Sequence, residues 1–120
     1  MIPEVEDVLR GYAFYARRRK LPDATEPDVR AALKLSLTLS RGRPYDEPAA
    51  MLYAFTIVRH AFPAAGRAMA LRLAKNQAAI MGKILLTDEE TLALIAGVRS
   101  GERSYEQVCL WMAMRLKPAY

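Results

Sequence analysis

The chain reads AAMLYAFTIV at residues 49–58, and Thr56 is the one residue of this segment outside the apolar class. A helix built from such a segment is apolar on every side, and it is stable in water only when other elements cover it. The segment therefore predicts a buried central helix around which the rest of the chain packs. A chain of 120 residues with no linker-like stretch is long enough for one core. We predict a single domain over residues 1–120.

Helix-start signals flank the central segment on both sides. The sequences TDEE at 87–90 and SYEQ at 104–107 have the spacing of a capping box, and Thr25 with Asp28 forms a box-like cap. Only residues 40–45 could hold a short extended or hairpin excursion. The predicted helices cover approximately residues 3–20, 26–39, 46–59, 63–81, 88–99 and 105–117. The sequence thus predicts an all-α fold, a compact six-helix bundle around a buried central helix.

Composition excludes several kinds of site. Hydrophobic residues make up 52% of the chain and charged residues 26%, a globular balance rather than a disordered one. Cys109 is the only cysteine and His60 the only histidine, which excludes an internal disulfide, a CxxC site and any site with two histidines. We therefore predict no metal site.

Targeting signals are not found in the sequence. No apolar run approaches the roughly 18 residues of a membrane span. The acidic start, MIPEVED, lacks the basic and apolar regions of a signal peptide. We expect a cytoplasmic protein with no membrane partner.

The distribution of charge is more informative than the net charge of +5. Residues 48–87 contain no Asp or Glu and hold five cations: Arg59, Arg67, Arg72, Lys75 and Lys83. A basic, acid-free middle third suits an anionic ligand such as phosphate, a nucleotide or nucleic acid. The alternative is a buried pair of helices whose few charges happen to be basic.

His60 follows the apolar helix and precedes a new helix by about three residues. Imidazolium is favoured at a helix C-terminus, and the N-terminus of the next helix favours anions. A base beside an anion site is the outline of a phosphoryl-transfer arrangement. The alternative is a structural histidine that caps the third helix.

The stretch AAMLYAFTIVRHAFPAAGRAMAL at residues 49–71 resembles the core of the Fic/Doc family. In that family an apolar helix ends in a motif written HPFxDGNKRT in the Doc, or death-on-curing, branch. Aligned to this motif without gaps, His60 and Phe62 match, and Arg67 falls on the lysine position. The tail LTDEETLALIAGVRSGERSYEQVCLWM, residues 86–112, also resembles Doc tails. The resemblance extends over roughly residues 27–112.

The resemblance implies a function in toxin–antitoxin systems. In the family the histidine is the base acting on the target hydroxyl, an acid holds Mg²⁺, and a glycine-rich turn with cations binds nucleotide phosphates. Doc-like toxins transfer a phosphoryl group from ATP to a protein hydroxyl, and related members transfer a nucleotidyl group. ATP, Mg²⁺ and an antitoxin partner are therefore the cofactors and partner that the resemblance implies.

The motif is degenerate at its metal-binding and phosphate-binding positions. The acid, glycine and asparagine of the family motif fall on Ala64, Ala65 and Gly66, and its arginine falls on Ala68. Removing one electrostatic element of a transfer site typically costs about 10²–10³ in rate. We expect a Doc-like protein that is weak or inactive as a transferase and requires ATP and Mg²⁺ only if the activity of the family survives.

A residual anion site is expected after the apolar helix. Ala64 and Ala65 favour a helix over a turn, so we predict that Pro63 opens the fourth helix. His60 would occupy the position of the catalytic base, while Gly66 and Arg67 would bind phosphate or a nucleotide. The unpaired amides of the first helical turn would add a partial positive charge.

Two other classes of function are consistent with the sequence. One is a non-catalytic helical module that binds a protein partner. The other is a basic protein that contacts nucleic acid through its acid-free middle, although we rank nucleic acid below a nucleotide or protein partner. The cationic run at residues 17–20 would serve either class, or it is simply a solvated helix end.

Overall fold

The apolar segment forms the central helix of an all-α fold in the computed structural model of the chain, which describes residues 1–119. Six helices surround a common core, and one short antiparallel sheet closes the chain. The elements in chain order are α1 (Val5–Arg19), α2 (Glu26–Ser40), a 3-10 turn (Pro44–Asp46), α3 (Glu47–Ile57), α4 (Gly66–Ile80), β1 (Lys83–Leu85), α5 (Glu89–Ser100), α6 (Tyr105–Arg115) and β2 (Leu116–Pro118). Within residues 1–119, none of the helices combines the length and the apolar character that crossing a membrane requires.

Helix α3 is enclosed by four other helices, as its apolar sequence predicts. It packs most extensively against α4 and α2, and it also contacts α5 and α6. Met51, Leu52 and Phe55 are each at most 1% exposed. Burying one such side chain contributes about 1.5–3 kcal/mol relative to leaving it in water. The core of the protein is therefore built around this helix.

The first turn of α3 carries a buried carboxylate. Glu47 is 6% exposed, and its carboxylate lies 2.7 Å from the α-amino group of Met1. The side-chain amide of Gln77, on α4, donates to the same carboxylate and to the carbonyl oxygen of Met1. A buried charge is tolerated only when it is paired and hydrogen-bonded, so this cluster connects α3, α4 and the N-terminal segment.

The capping signals place the starts of α5 and α6. Ser104 and Gln107 form the predicted capping box of α6. At α5 the box is shifted by one residue from the predicted TDEE frame, because Asp88 is the N-cap and Thr91 its partner. One carboxylate oxygen of Asp88 accepts from the amide of Glu90. The other accepts from the guanidinium of Arg115, and this second bond lowers the pKa of Asp88. The box-like cap at Thr25 does not form, since its side chain makes no capping hydrogen bond.

The fourth helix begins at Gly66, so the prediction that Pro63 opens it is wrong. Phe62 is 1% exposed and packs between Tyr12 and Phe55, with ring centroids 4.9 and 5.5 Å away. Burying this ring requires a turn over residues 58–65, and Ala64 adopts a left-handed conformation with φ 65°. Tertiary packing thus overrides the helix propensity of the alanines.

The segment 40–45 does not form the extended or hairpin excursion that it could hold. It is a turn followed by the 3-10 turn, whereas the extended segments are β1 and β2. These strands pair antiparallel, with Ile84 opposite Lys117. The last helix ends at Arg115 because the residues after it pair with β1.

The left-handed Ala64 gives a stability prediction. An L-residue in this region costs roughly 1–2 kcal/mol, whereas glycine adopts it readily but loses more chain entropy on folding. We expect Ala64→Gly to raise the free energy of unfolding by about 0.5–1 kcal/mol in urea titrations. The control is Ala13→Gly, in the exposed interior of α1, which should lower it by a similar amount. Equal destabilisation by both variants would contradict the assigned turn.

Candidate anion site at the N-terminus of α4

Two of the three residues predicted for the site lie at the start of α4. Gly66 is the first residue of the helix, and Arg67 follows it with an exposed side chain. Both line a surface pocket of about 360 Å³, which we call the anion pocket. His60 is exposed on the preceding turn, past the end of α3 at Ile57, and does not line this pocket.

The start of α4 presents unpaired amides. Within residues 1–119, the N–H groups of Gly66, Arg67 and Ala68 donate to no backbone acceptor, and the N-cap, Ala65, has no side chain that could accept from them. Ala65 does close the first turn through its carbonyl oxygen, which accepts from the amide of Met69 at 2.9 Å. The first turn therefore carries the partial positive charge of a free helix N-terminus, about half a unit.

Two further arginines reach the same pocket from other elements. Arg59 comes from the turn after α3, and Arg99 comes from the last turn of α5. The Arg99 guanidinium lies 3.4 Å from the position that a Cβ on Gly66 would occupy. The guanidinium of Arg59 donates to the carbonyl oxygen of Arg99 at 2.6 Å. This bond ties the turn to the C-terminus of α5, which favours a cation.

The anion pocket is positive and has no counter-charge among the residues that line it. No acidic residue is among those that line it. Within residues 1–119, Arg59, Arg67 and Arg99 form no ion pair with a carboxylate. Three arginines and a helix N-terminus therefore line one small volume. A ligand with several negatively charged oxygens would relieve their mutual repulsion.

The basic surface continues beyond the pocket through Tyr15. Tyr15 lines the pocket, and the guanidinium carbon of Arg19 lies 3.9 Å from the centroid of its ring. Arg72 approaches the same ring at 5.8 Å. The end of α1 and the middle of α4 thus extend the positive surface on one side of the pocket.

The residues present fit a phosphate but not a resident Mg²⁺. Guanidinium groups and backbone amides bind oxyanions, whereas Mg²⁺ requires oxygen ligands, usually including a carboxylate. The nearest acid before His60 in the sequence is Glu47 and the nearest after it is Asp88, and neither lines the pocket. Within the part of the chain that the structure describes, no cluster of three His, Cys, Asp or Glu side chains could hold a metal ion.

Sequence reasoning missed Arg59 and Arg99 as members of this site. Arg59 belongs to the acid-free stretch, so composition carried a weak signal for it. Arg99 lies outside that stretch, and only the packing of α5 beside the turn brings it to Gly66. The role of His60 as a base stays a prediction, since its position outside the pocket does not test it.

Comparisons with known proteins add no assignment. No protein-family model matches the chain, and no curated protein shows a significant match to it in sequence.

The geometry of the anion pocket predicts weak oxyanion binding. In a sulfate titration followed by amide NMR, we expect saturable shifts at Gly66, Arg67 and Ala68, with a dissociation constant on the order of millimolar, or about 4 kcal/mol. Arg67→Gln should remove the saturation. Lys75→Gln makes the same charge change two turns further along α4 and should leave it intact. Absence of local shifts at tens of millimolar sulfate would mean that the pocket selects no oxyanion.

Proposed function

We propose that the chain is a Doc-like protein of the toxin–antitoxin type that binds a phosphorylated ligand in the anion pocket and has little or no transferase activity. The observation that carries the proposal is the convergence of Arg59, Arg67 and Arg99 on the free N-terminus of α4. The resemblance at residues 49–71 and the helical fold support the family assignment.

Phosphate is the favoured ligand group because of its shape and charge. A guanidinium group can donate two parallel hydrogen bonds to a phosphate, and fixed amides add directional donors. A nucleotide offers several such oxygens to the three arginines. The degenerate motif therefore retains cations for phosphate binding, with Arg67 on the lysine position of the family motif.

Transfer is disfavoured by what surrounds the pocket. The family acid that would hold Mg²⁺ falls on Ala64, whose side chain offers no ligand. His60 is exposed and does not line the pocket. Since each missing electrostatic element costs about 10²–10³ in rate, we expect binding without measurable turnover. We also propose a cytoplasmic location, as the sequence composition suggests, and an antitoxin-like protein partner, as the resemblance implies.

Nucleotide binding that does not depend on Mg²⁺ would distinguish this function from that of an active transferase. By calorimetry, ADP should bind equally well in EDTA and in excess Mg²⁺ or slightly better in EDTA, because no carboxylate in the pocket recruits the metal. Arg67→Gln should weaken binding by about tenfold, a loss equivalent to 1.4 kcal/mol, whereas the matched Lys75→Gln should not.

An assay of transferase activity tests the proposal that the protein has little or no activity. Labelled ATP and Mg²⁺ should give little or no labelling of proteins in a lysate, and His60→Ala should change nothing. Robust labelling that His60→Ala abolishes would show that the protein is an active transferase, and it would overturn this part of the proposal.

Nucleic acid is the second candidate ligand, and the surface around Tyr15 favours it. Arg19 and Arg72 extend the positive surface beyond the volume that one phosphate fills. A strand that followed this surface would release several counterions, so its affinity would fall steeply with salt. Anisotropy with a labelled single strand at two salt concentrations tests this candidate. Loss of affinity in Arg19→Gln as well as Arg67→Gln would favour a strand over a mononucleotide.

A further inference from the structure

A second pocket lies between α1 and α4, with a volume of about 200 Å³. Its floor is mostly apolar and includes side chains that are at most 8% exposed: Val8, Tyr12, Met51, Met69 and Leu73, with the buried polar Gln77 beside them. Its rim includes the exposed residues Asp7, Gly11, Arg72, Asn76 and Ile80. We call it the α1–α4 pocket. None of Arg59, Arg67 and Arg99 takes part in it, so it is separate from the anion pocket.

Gly11 leaves this pocket open. It lies in the middle of α1, where glycine weakens a helix relative to alanine. Such a residue usually allows a close approach of another element, but a Cβ built on Gly11 would meet no atom within 4 Å. Close packing against another element is therefore not the reason for a glycine at this position in the described structure. The consequence of the missing side chain is space over the apolar floor.

The rim supplies a cation, Arg72, that approaches the Tyr15 ring but is not paired with an acid among the described residues. Arg72 forms no ion pair with a carboxylate within residues 1–119. Asp7, the acid on the same rim, is instead paired with Arg10 at 3.2 Å. The amide of Asn76, one turn after Arg72 on α4, adds a neutral hydrogen-bonding group. The pocket thus combines an apolar floor with a rim that favours a negative charge.

We propose that the α1–α4 pocket binds a small carboxylate with an apolar body, the body resting on Met51 and Met69 and the carboxylate reaching Arg72. The size of the body follows from the volume, since an apolar cavity of about 150 Å³ accommodates benzene. One six-membered ring or an aliphatic chain of similar bulk fills the pocket. Methionine side chains adapt to ligands of different outline, so the floor accepts either.

The test uses 4-fluorophenylacetate and its neutral analogue 4-fluorophenylacetamide with protein labelled at the methionine methyl groups. Met51 and Met69 report on this pocket, whereas Met81 and Met112 line a different one and Met114 a third. We expect saturable shifts confined to the first pair. We also expect the carboxylate to bind about three- to tenfold more tightly than the amide, as for a partly solvated charge pair.

Two variant pairs locate the ligand. Gly11→Leu should fill the space and abolish binding of both compounds, while Gly11→Ala should reduce it by no more than about twofold. Arg72→Gln should remove the preference for the carboxylate but retain the amide, and Lys75→Gln should preserve the preference. Thermal unfolding of each variant, measured beside the wild type, confirms that it is folded.

Three results would overturn the proposal: no saturable shift of Met51 or Met69 at 10 mM ligand, shifts of the other methionines alone, or binding that survives Gly11→Leu in a folded variant. Because sulfate binding at Gly66 is measured separately, failure here leaves the anion pocket unaffected.

Discussion

The structure depends on the requirement that α3, which is apolar on every side, be shielded from water. Each side of this helix needs a covering element, and α2, α4, α5 and α6 all contact it. Ala50 and Ala54 are fully buried and let neighbouring helices approach closely. The same constraint fixes the turn at residues 58–65, since Ala61 and Phe62 continue the buried surface past the helix end. The amide of Thr25 then donates to the carbonyl oxygen of Ala61, which attaches the turn to the start of α2.

The parts of the fold that sequence could predict are those governed by local rules. The apolar segment predicted the position of α3 in the sequence, and the capping box at Ser104 predicted the start of α6. Both were predictable because periodicity and capping act within a few residues. The start of α4 was not predictable this way, since the burial of Phe62 against Tyr12 and Phe55 decides it. Pairing of β1 with β2 likewise joins segments about thirty residues apart and leaves no short-range signal.

Some residues of the anion pocket could likewise be proposed from local sequence, and others could not. Gly66 and Arg67 could be proposed from the motif because they are neighbours on one helical turn. Arg99 could not, because α5 brings it to Gly66 only in the folded chain. His60 was singled out by its place after the apolar helix, yet the turn that buries Phe62 leaves the histidine exposed outside the pocket. Sequence reasoning therefore brought Gly66 and Arg67 together at the start of α4 but not Arg59 and Arg99, which line the same pocket.

Solvent exposure determines how strongly the three arginines of the anion pocket repel one another and how strongly they attract an anion. Arg59, Arg67 and Arg99 are exposed. Two unit charges 4 Å apart interact by only about 1 kcal/mol in bulk water, against about 4 kcal/mol at an effective dielectric constant of 20. The fold therefore tolerates three like charges without an acid, and for the same reason their attraction for any single anion is modest and screened by salt. In the function that we propose, selectivity must then come from the donors whose directions are fixed. These are the amides at the start of α4, held by helix geometry, and the Arg59 guanidinium, held by the carbonyl oxygen of Arg99. A tetrahedral oxyanion can accept from several of these donors at once, whereas a chloride ion or a single carboxylate leaves some of them unpaired.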